Sequence, residues 1–246
     1  MQTGDITFPA ADGHAMRAAY AAPSDGRSRP GVIVIHEIFG LNDDIRRITG
    51  RVSDLGYAAI APDLYDGSAP RPICIAKTMM TLGRGTGSGG TFDDLDAARR
   101  FLQTQPGVDG ARIGVIGFCM GGGFALLYAT RAPLSAAGVF YGDVPKTADR
   151  LKNVCPILGG YGGADKLFAP QGRRLEEMLT QLGVDHDVKI YEGAGHSYMS
   201  QHSAIMAAIG PWTPMRAGYN HDAAEDSWKR IDTFFGRHLG RQGPRV

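Results

Sequence analysis

The sequence predicts an α/β fold, a mainly parallel central sheet with helices on both faces. Three observations carry this. Short apolar runs suited to buried strands alternate with segments of helical spacing. Val32-Ile33-Val34-Ile35 is a continuous β-branched run, the pattern of a strand covered on both sides. The apolar run Arg112 to Gly117 ends on Gly117-Phe118-Cys119-Met120-Gly121 and leads into a helix-like stretch. No internal repeat or linker interrupts the alternation, so residues 1–246 read as one domain.

In chain order, Ile6 to Phe8 and Met16 to Ala22 read as a hairpin at a sheet edge, with Asp12-Gly13 as a type I′ turn. Strand Val32 to Ile35 follows. Asn42 can cap a helix carrying Ile45, Ile48 and Val52, which Gly56 ends, and Tyr57 to Ala61 makes the next buried strand, closed by Pro62. Residues 63–90 are the least regular part, with a helix-like piece from Ala76 to Leu82. Gly85-Thr86-Gly87-Ser88-Gly89-Gly90 formally matches G-x-G-x-x-G, but a dinucleotide fingerprint must follow a strand. It reads instead as a mobile loop near a site mouth.

Thr91 can cap a helix with Phe92, Leu95, Ala98 and Leu102 on one face, stopped by Pro106-Gly107. The alternation continues with helix 120–130, strands Ala136 to Tyr141 and Val154 to Leu158, helix 171–182 and strand Val184 to Tyr191. A final helix from Ala224 to Leu239 presents Trp228, Ile231, Phe234, Phe235 and Leu239 to the core.

Composition narrows the function classes. With 26 Lys plus Arg against 25 Asp plus Glu the formal charge is +1, and no basic block points to nucleic acid. No stretch approaches a membrane span, and the N-terminal Met-Gln-Thr-Gly-Asp opens without an apolar leader. Cys74, Cys119 and Cys155 form no C-x-x-C pair and cannot all be bridged within the chain, which suits a reducing, cytoplasmic setting. Cys74 and Cys155 lie in apolar stretches and read as structural, Cys155 at the head of a buried strand.

Cys119 differs from them because of its neighbours. A strand that turns sharply into a helix forces the residue at the bend into a strained conformation, and small residues at Gly117 and Gly121 let the turn form without collision. The side chain at the bend is then presented to ligand, beside helix-terminal amides that favour negative charge. In parallel sheets ligands sit beyond the carboxyl ends of the strands, so residues just after strands are the ones to inspect. Asp165 follows the strand that ends in the 159–163 glycines, and His196 follows Tyr191 within Gly195-His196-Ser197. The chain order Cys119, Asp165, His196 is the nucleophile, acid, base order of the α/β-hydrolase fold. His196 would manage the thiol proton and Asp165 would fix the imidazole.

His36-Glu37-Ile38-Phe39-Gly40 comes after strand Val32 to Ile35. His-Glu suggests H-E-x-x-H zinc chemistry, but position 40 is Gly, so no metal is expected. The amides of Ile38 and Met120 would form an oxyanion hole.

These motifs resemble those of the dienelactone hydrolase family: His36 to Asn42, Gly56-Tyr57, Ala61 to Tyr65, Gly117 to Gly122, Asp165 and Gly195 to Ser197, covering about residues 30 to 240. The resemblance implies a Cys119–Asp165–His196 triad, an Ile38/Met120 oxyanion hole and a Glu37 partner that helps switch the thiol to thiolate. It also implies hydrolysis of a small-molecule ester or enol-lactone through a thioester, with no cofactor. Family members that cleave dienelactone hold its carboxylate with arginines, one of them four residues after the histidine; here that place is Ser200. Arg84 can fill another arginine position. Residues 199–222, with Trp212, Arg216, Tyr219 and His221, read as a lid, and Trp212 and Arg216 as substrate contacts. A non-catalytic small-molecule-binding protein on the same fold, and a redox-sensing Cys119, are the competing readings. Oligomeric state is not encoded in any motif.

Overall fold

The computed structural model describes residues 2–67, 69–85, 87–201 and 208–240. Its strands are β1 (Gln2–Pro9), β2 (Ala15–Ala22), β3 (Arg29–Ile35), β4 (Ala58–Pro62), β5 (Val108–Phe118), β6 (Ala136–Phe140), β7 (Ile157–Gly162) and β8 (His186–Tyr191). They form one eight-stranded sheet in the order β1-β2-β4-β3-β5-β6-β7-β8. β2 pairs antiparallel with β1 and with β4, and every pairing from β4 to β8 is parallel. This is the α/β-hydrolase arrangement.

The helices are α1 (Asp43–Asp54), α2 (Arg71–Arg84), α3 (Gly90–Gln103), α4 (Met120–Tyr128), α5 (Ala169–Leu182) and α6 (His221–Phe235). Alternation along β3 shows why both faces are covered. Ile33 and Ile35 belong to the core that holds Phe92 and Leu95 of α3, Phe124 of α4 and Leu175 of α5. Val32 and Val34 point the other way, into the core of Ile45, Ile48 and Val52 of α1 with Trp228, Ile231 and Phe234 of α6. All four β3 residues are inaccessible to solvent, and each such burial is worth about 1.5–3 kcal/mol. Asn42 and Asn220 cap α1 and α6, their side chains accepting from the amides of Ile45 and Ala223.

Five local expectations are corrected. The β1–β2 hairpin forms, but only Gly13 has positive φ; the Gly13 amide donates to Ala10 and the Ala10 amide to His14. That is a type I turn closed by a left-handed glycine, not a type I′ turn. α2 runs fourteen residues from Arg71, with Pro72 in its first turn, where a missing N–H costs nothing. α3 is capped by Gly89 at φ 117, and Thr91 lies inside its first turn. β7 starts at Ile157, three residues after Val154, so Cys155 precedes the strand instead of heading it and is only half-buried. Its glycines serve close approach: a Cβ on Gly162 would collide with the carbonyls of Ala194 and Gly195, next to His196. The last helix begins at His221, three residues before Ala224.

Candidate active site

Cys119 sits alone between β5 and α4 at φ 54, ψ −119, a region that side chains other than glycine enter only under constraint. The constraint is visible in its surroundings. The Cys119 amide donates to the Phe140 carbonyl at 3.0 Å, and the Cys119 carbonyl accepts from Gly122 at 2.9 Å. A Cβ on Gly117 would overlap the Gly121 carbonyl, and one on Gly121 would overlap the carbonyls of Ile35 and His36. The glycines therefore let α4 begin directly against the end of β3.

His196 and Asp165 meet at the carboxyl ends of β8 and β7. The His196 Nδ1–H donates to Asp165 Oδ2 at 2.7 Å, with Asp165 inaccessible to solvent and His196 nearly so. The other carboxylate oxygen accepts from the amides of Leu167 at 3.0 Å and Phe168 at 3.2 Å, so Asp165 is held by three donors. The imidazole lies between Phe168 and Tyr141, with ring centroids 4.6 and 5.1 Å away. Burial pulls the His196 pKa down, but hydrogen bonds to Asp165 and Cys119 and the negative charge of both outweigh it, raising the value to about 10.

The loop after β3 brings in Glu37. The His36 Nδ1–H donates to the Glu37 carbonyl at 2.7 Å, while Nε2 accepts from the Leu64 amide at 3.0 Å. Burial lowers the His36 pKa and keeps the ring neutral, the form this pair of bonds requires. His36 thus fixes the loop that carries Glu37 and Ile38. Glu37 is buried, and the Ser200 hydroxyl donates to its Oε1 at 2.8 Å; the Tyr141 hydroxyl lies 3.1 Å from Ser200 Oγ. Among the described residues, neither the Ile38 nor the Met120 backbone amide donates to a protein acceptor.

Of the residues singled out in the sequence, Cys119, Asp165, His196, Glu37, Ile38 and Met120 come together at this end of the sheet. Arg84, Trp212 and Arg216 do not join that hydrogen-bonded cluster. Arg84 is the exposed last residue of α2, Trp212 is 88% exposed on a short 3-10 turn, and Arg216 is exposed at φ 46. The segment expected to be a lid falls partly outside the described residues, at 202–207. Its later part straps the histidine loop: the His196 amide donates to Met215, the Gly218 amide to the His196 carbonyl and the Asn220 amide to Tyr198. The contributions of Tyr141, Phe168 and this strap carry no sequence motif; the position of Tyr141 directly after a buried strand was the one available signal.

Among the described residues, no group of three or more His, Cys, Asp or Glu side chains could hold a metal ion. No helix there is long and apolar enough to cross a membrane.

Residues 16–239 match the model of the dienelactone hydrolase family. A "Putative carboxymethylenebutenolidase" of Methylorubrum extorquens is 31% identical over 94% of this chain and 80% of that relative. A protein of the same name in Synechocystis is 33% identical over 85% of this chain and 87% of that relative. Among solved structures, a "Putative Dienelactone Hydrolase" of Klebsiella pneumoniae superposes with a TM-score of 0.77 at 26% identity, covering 96% of this chain and 98% of that one. The glycine-flanked bend, the buried His196–Asp165 pair and these relatives lead to one assignment: the chain belongs to the dienelactone hydrolase family and is a hydrolase of the α/β-hydrolase fold.

Proposed function

We propose that the protein hydrolyses carboxylic esters or enol-lactones of small molecules, with Cys119 as nucleophile, through a thioester acyl-enzyme. The observation that carries this is the buried His196–Asp165 hydrogen bond at 2.7 Å beside the Cys119 bend, where Asp165 and Cys119 together raise the His196 pKa to about 10. Such an imidazolium stabilises a thiolate beside it.

The steps follow from that charge distribution. The Cys119 thiolate attacks the acyl carbon, forming the C–S bond and moving the carbonyl electron pair onto oxygen. The amides of Ile38 and Met120 receive that oxyanion. As the C–O bond breaks, the imidazolium gives its proton to the leaving alkoxide. With the thiolate consumed, one of the charges that raised the His196 pKa is gone, so the neutral imidazole can then take a proton from water. The resulting hydroxide breaks the thioester and returns the sulfur as thiolate. Asp165 holds the imidazole tautomer and stabilises its charged form throughout. Where Cys119 stands as a neutral thiol, Glu37, held by Ser200, takes its proton when substrate arrives and so gives the same attacking thiolate.

Arg84, Trp212 and Arg216 are proposed as contacts for the outer parts of the substrate. The thiols of Cys74, Cys119 and Cys155 are all free, which supports a reading as a cytoplasmic enzyme. Replacing Cys119 with Ala tests the nucleophile: turnover of p-nitrophenyl acetate is expected to fall to background with the melting temperature retained, and full activity in the variant contradicts the reading.

A further inference from the structure

His196 is carried on a turn that does not hold itself. The next residue, Ser197, has φ 56, a left-handed conformation that a residue with a side chain keeps only when its surroundings impose it. On the near side the imposing contacts are the bonds of His196 to Asp165 and to the strap at Met215. On the far side they converge on Tyr198.

Tyr198 is inaccessible to solvent, and its ring lies against Tyr141, with centroids 5.4 Å apart, and against Tyr191 at 5.0 Å. Tyr141 is one of the two rings flanking His196. The fold makes room for the Tyr198 hydroxyl, since a Cβ on Gly160 of β7 would collide with it. A phenylalanine would fill the same apolar space without needing a partner. The hydroxyl adds a tether.

That tether is a chain of hydrogen bonds whose protons can be ordered. The Tyr198 and Ser227 oxygens are 2.8 Å apart, those of Ser227 and Tyr191 2.9 Å, and Tyr191 lies 2.8 Å from Asp226 Oδ2. A carboxylate only accepts and each hydroxyl carries one proton, so Tyr191 donates to Asp226, Ser227 to Tyr191 and Tyr198 to Ser227. Lys189 Nζ donates to the same Oδ2 at 2.8 Å, a bond that holds the Asp226 carboxyl below its ordinary value. The chain therefore runs inward from an ion pair between β8 and α6, at the surface, to the residue two positions after His196. Its dipoles all point one way, so each bond strengthens the next. It acts on His196 only through Ser197 and the ring of Tyr141.

We propose that Tyr198 is a positioning residue for His196: tied through Ser227 and Tyr191 to Asp226, it holds the strained turn and the Tyr141 ring so that the imidazole stays between Asp165 and Cys119. Only the kinetic part of the inference rests on the hydrolase reading. Tyr198→Phe keeps the ring and removes the tether, and Asp226→Asn weakens the chain at its solvent-facing end. With p-nitrophenyl acetate, kcat is expected to fall about tenfold in Tyr198→Phe and less in Asp226→Asn, with KM within about twofold of wild type, because a displaced acid–base group slows the chemistry without changing substrate contacts. The NMR titration midpoint of His196, about 10 in the folded wild type, is expected to fall in the same order. A loosened ring loses part of the bonds to Asp165 and Cys119 that raise it. A purely structural tether would lower the melting temperature and move neither reading, and that result overturns the proposal. Where Tyr198→Phe does not fold, Asp226→Asn decides by the same two readings. Absence of ester turnover by wild type is a failure of the hydrolase reading instead, and the His196 midpoint then decides alone: lowered in the variants it supports the positioning role, unchanged it contradicts it.

Discussion

The Ser200 hydroxyl donates to Glu37 Oε1 at 2.8 Å, joining the loop after β3 to the loop after β8 across 163 residues of sequence. Both residues are buried, so the bond is made without competition from bulk water. Ser200→Ala deletes a donor to a buried carboxylate and is expected to cost about 1–3 kcal/mol of stability. Thermal unfolding measures this. Ser200→Thr, which keeps the hydroxyl, is expected to recover most of the loss.

His196 gives the pH dependence its sign. Its folded value of about 10 lies above the ordinary histidine value of 6.5, so protonation stabilises the folded state. That contribution is full below about pH 6.5 and is lost as the pH rises through about 10. NMR titration of His196 is expected to give a midpoint well above neutrality in wild type. A lower midpoint is expected in Cys119→Ala and in Asp165→Asn, since each removes a hydrogen bond and a charge that raise it. A wild-type midpoint near the ordinary histidine value contradicts the thiolate–imidazolium pair.

Gly117→Ala places a methyl group into the Gly121 carbonyl, where backbone meets backbone and no side chain can yield. The expected loss is about 3 kcal/mol or more, with activity abolished by distortion of the bend. Denaturant unfolding checks the first and ester turnover the second.

Trp212 is 88% exposed, so Trp212→Ala is expected to leave stability within about 0.5 kcal/mol of wild type. If the ring contacts the outer part of the substrate, KM for a bulky ester rises a few-fold at constant kcat. Unchanged constants assign the ring to the surface.

The contrast between Cys119 and Ser200 shows what a sequence displays of such a site. The bend at Cys119 is local: two glycines, a preceding apolar strand and a following helix lie within a few residues, and the stretch that reads as a sharp strand-to-helix turn folds as one. β3 was equally legible because a strand covered on both faces needs an uninterrupted apolar run. Asp165 and His196 were legible through their place after strands and their order along the chain. The Ser200–Glu37–Tyr141 chain was not, since its members come from three loops that only the tertiary fold brings together. β7 was misplaced by three residues because Gly159, Gly160 and Gly162 have poor strand propensity, yet neighbouring side chains and the histidine loop pack too close for a Cβ there. The first turns of α2, before Ala76, are not legible because Pro70 and Pro72 look like breakers, although the first turn of a helix tolerates proline.

The central claim is a covalent bond between substrate and Cys119. Mixing the protein with excess p-nitrophenyl acetate, quenching in acid within milliseconds and mapping peptides by mass spectrometry measures it directly. The expected result is one acetyl group on the peptide containing Cys119 in wild type, accumulating further in His196→Ala if acylation still proceeds there, and absent from Cys119→Ala. Rapid turnover by wild type with no acyl group ever found on Cys119, or undiminished turnover by Cys119→Ala, contradicts the account.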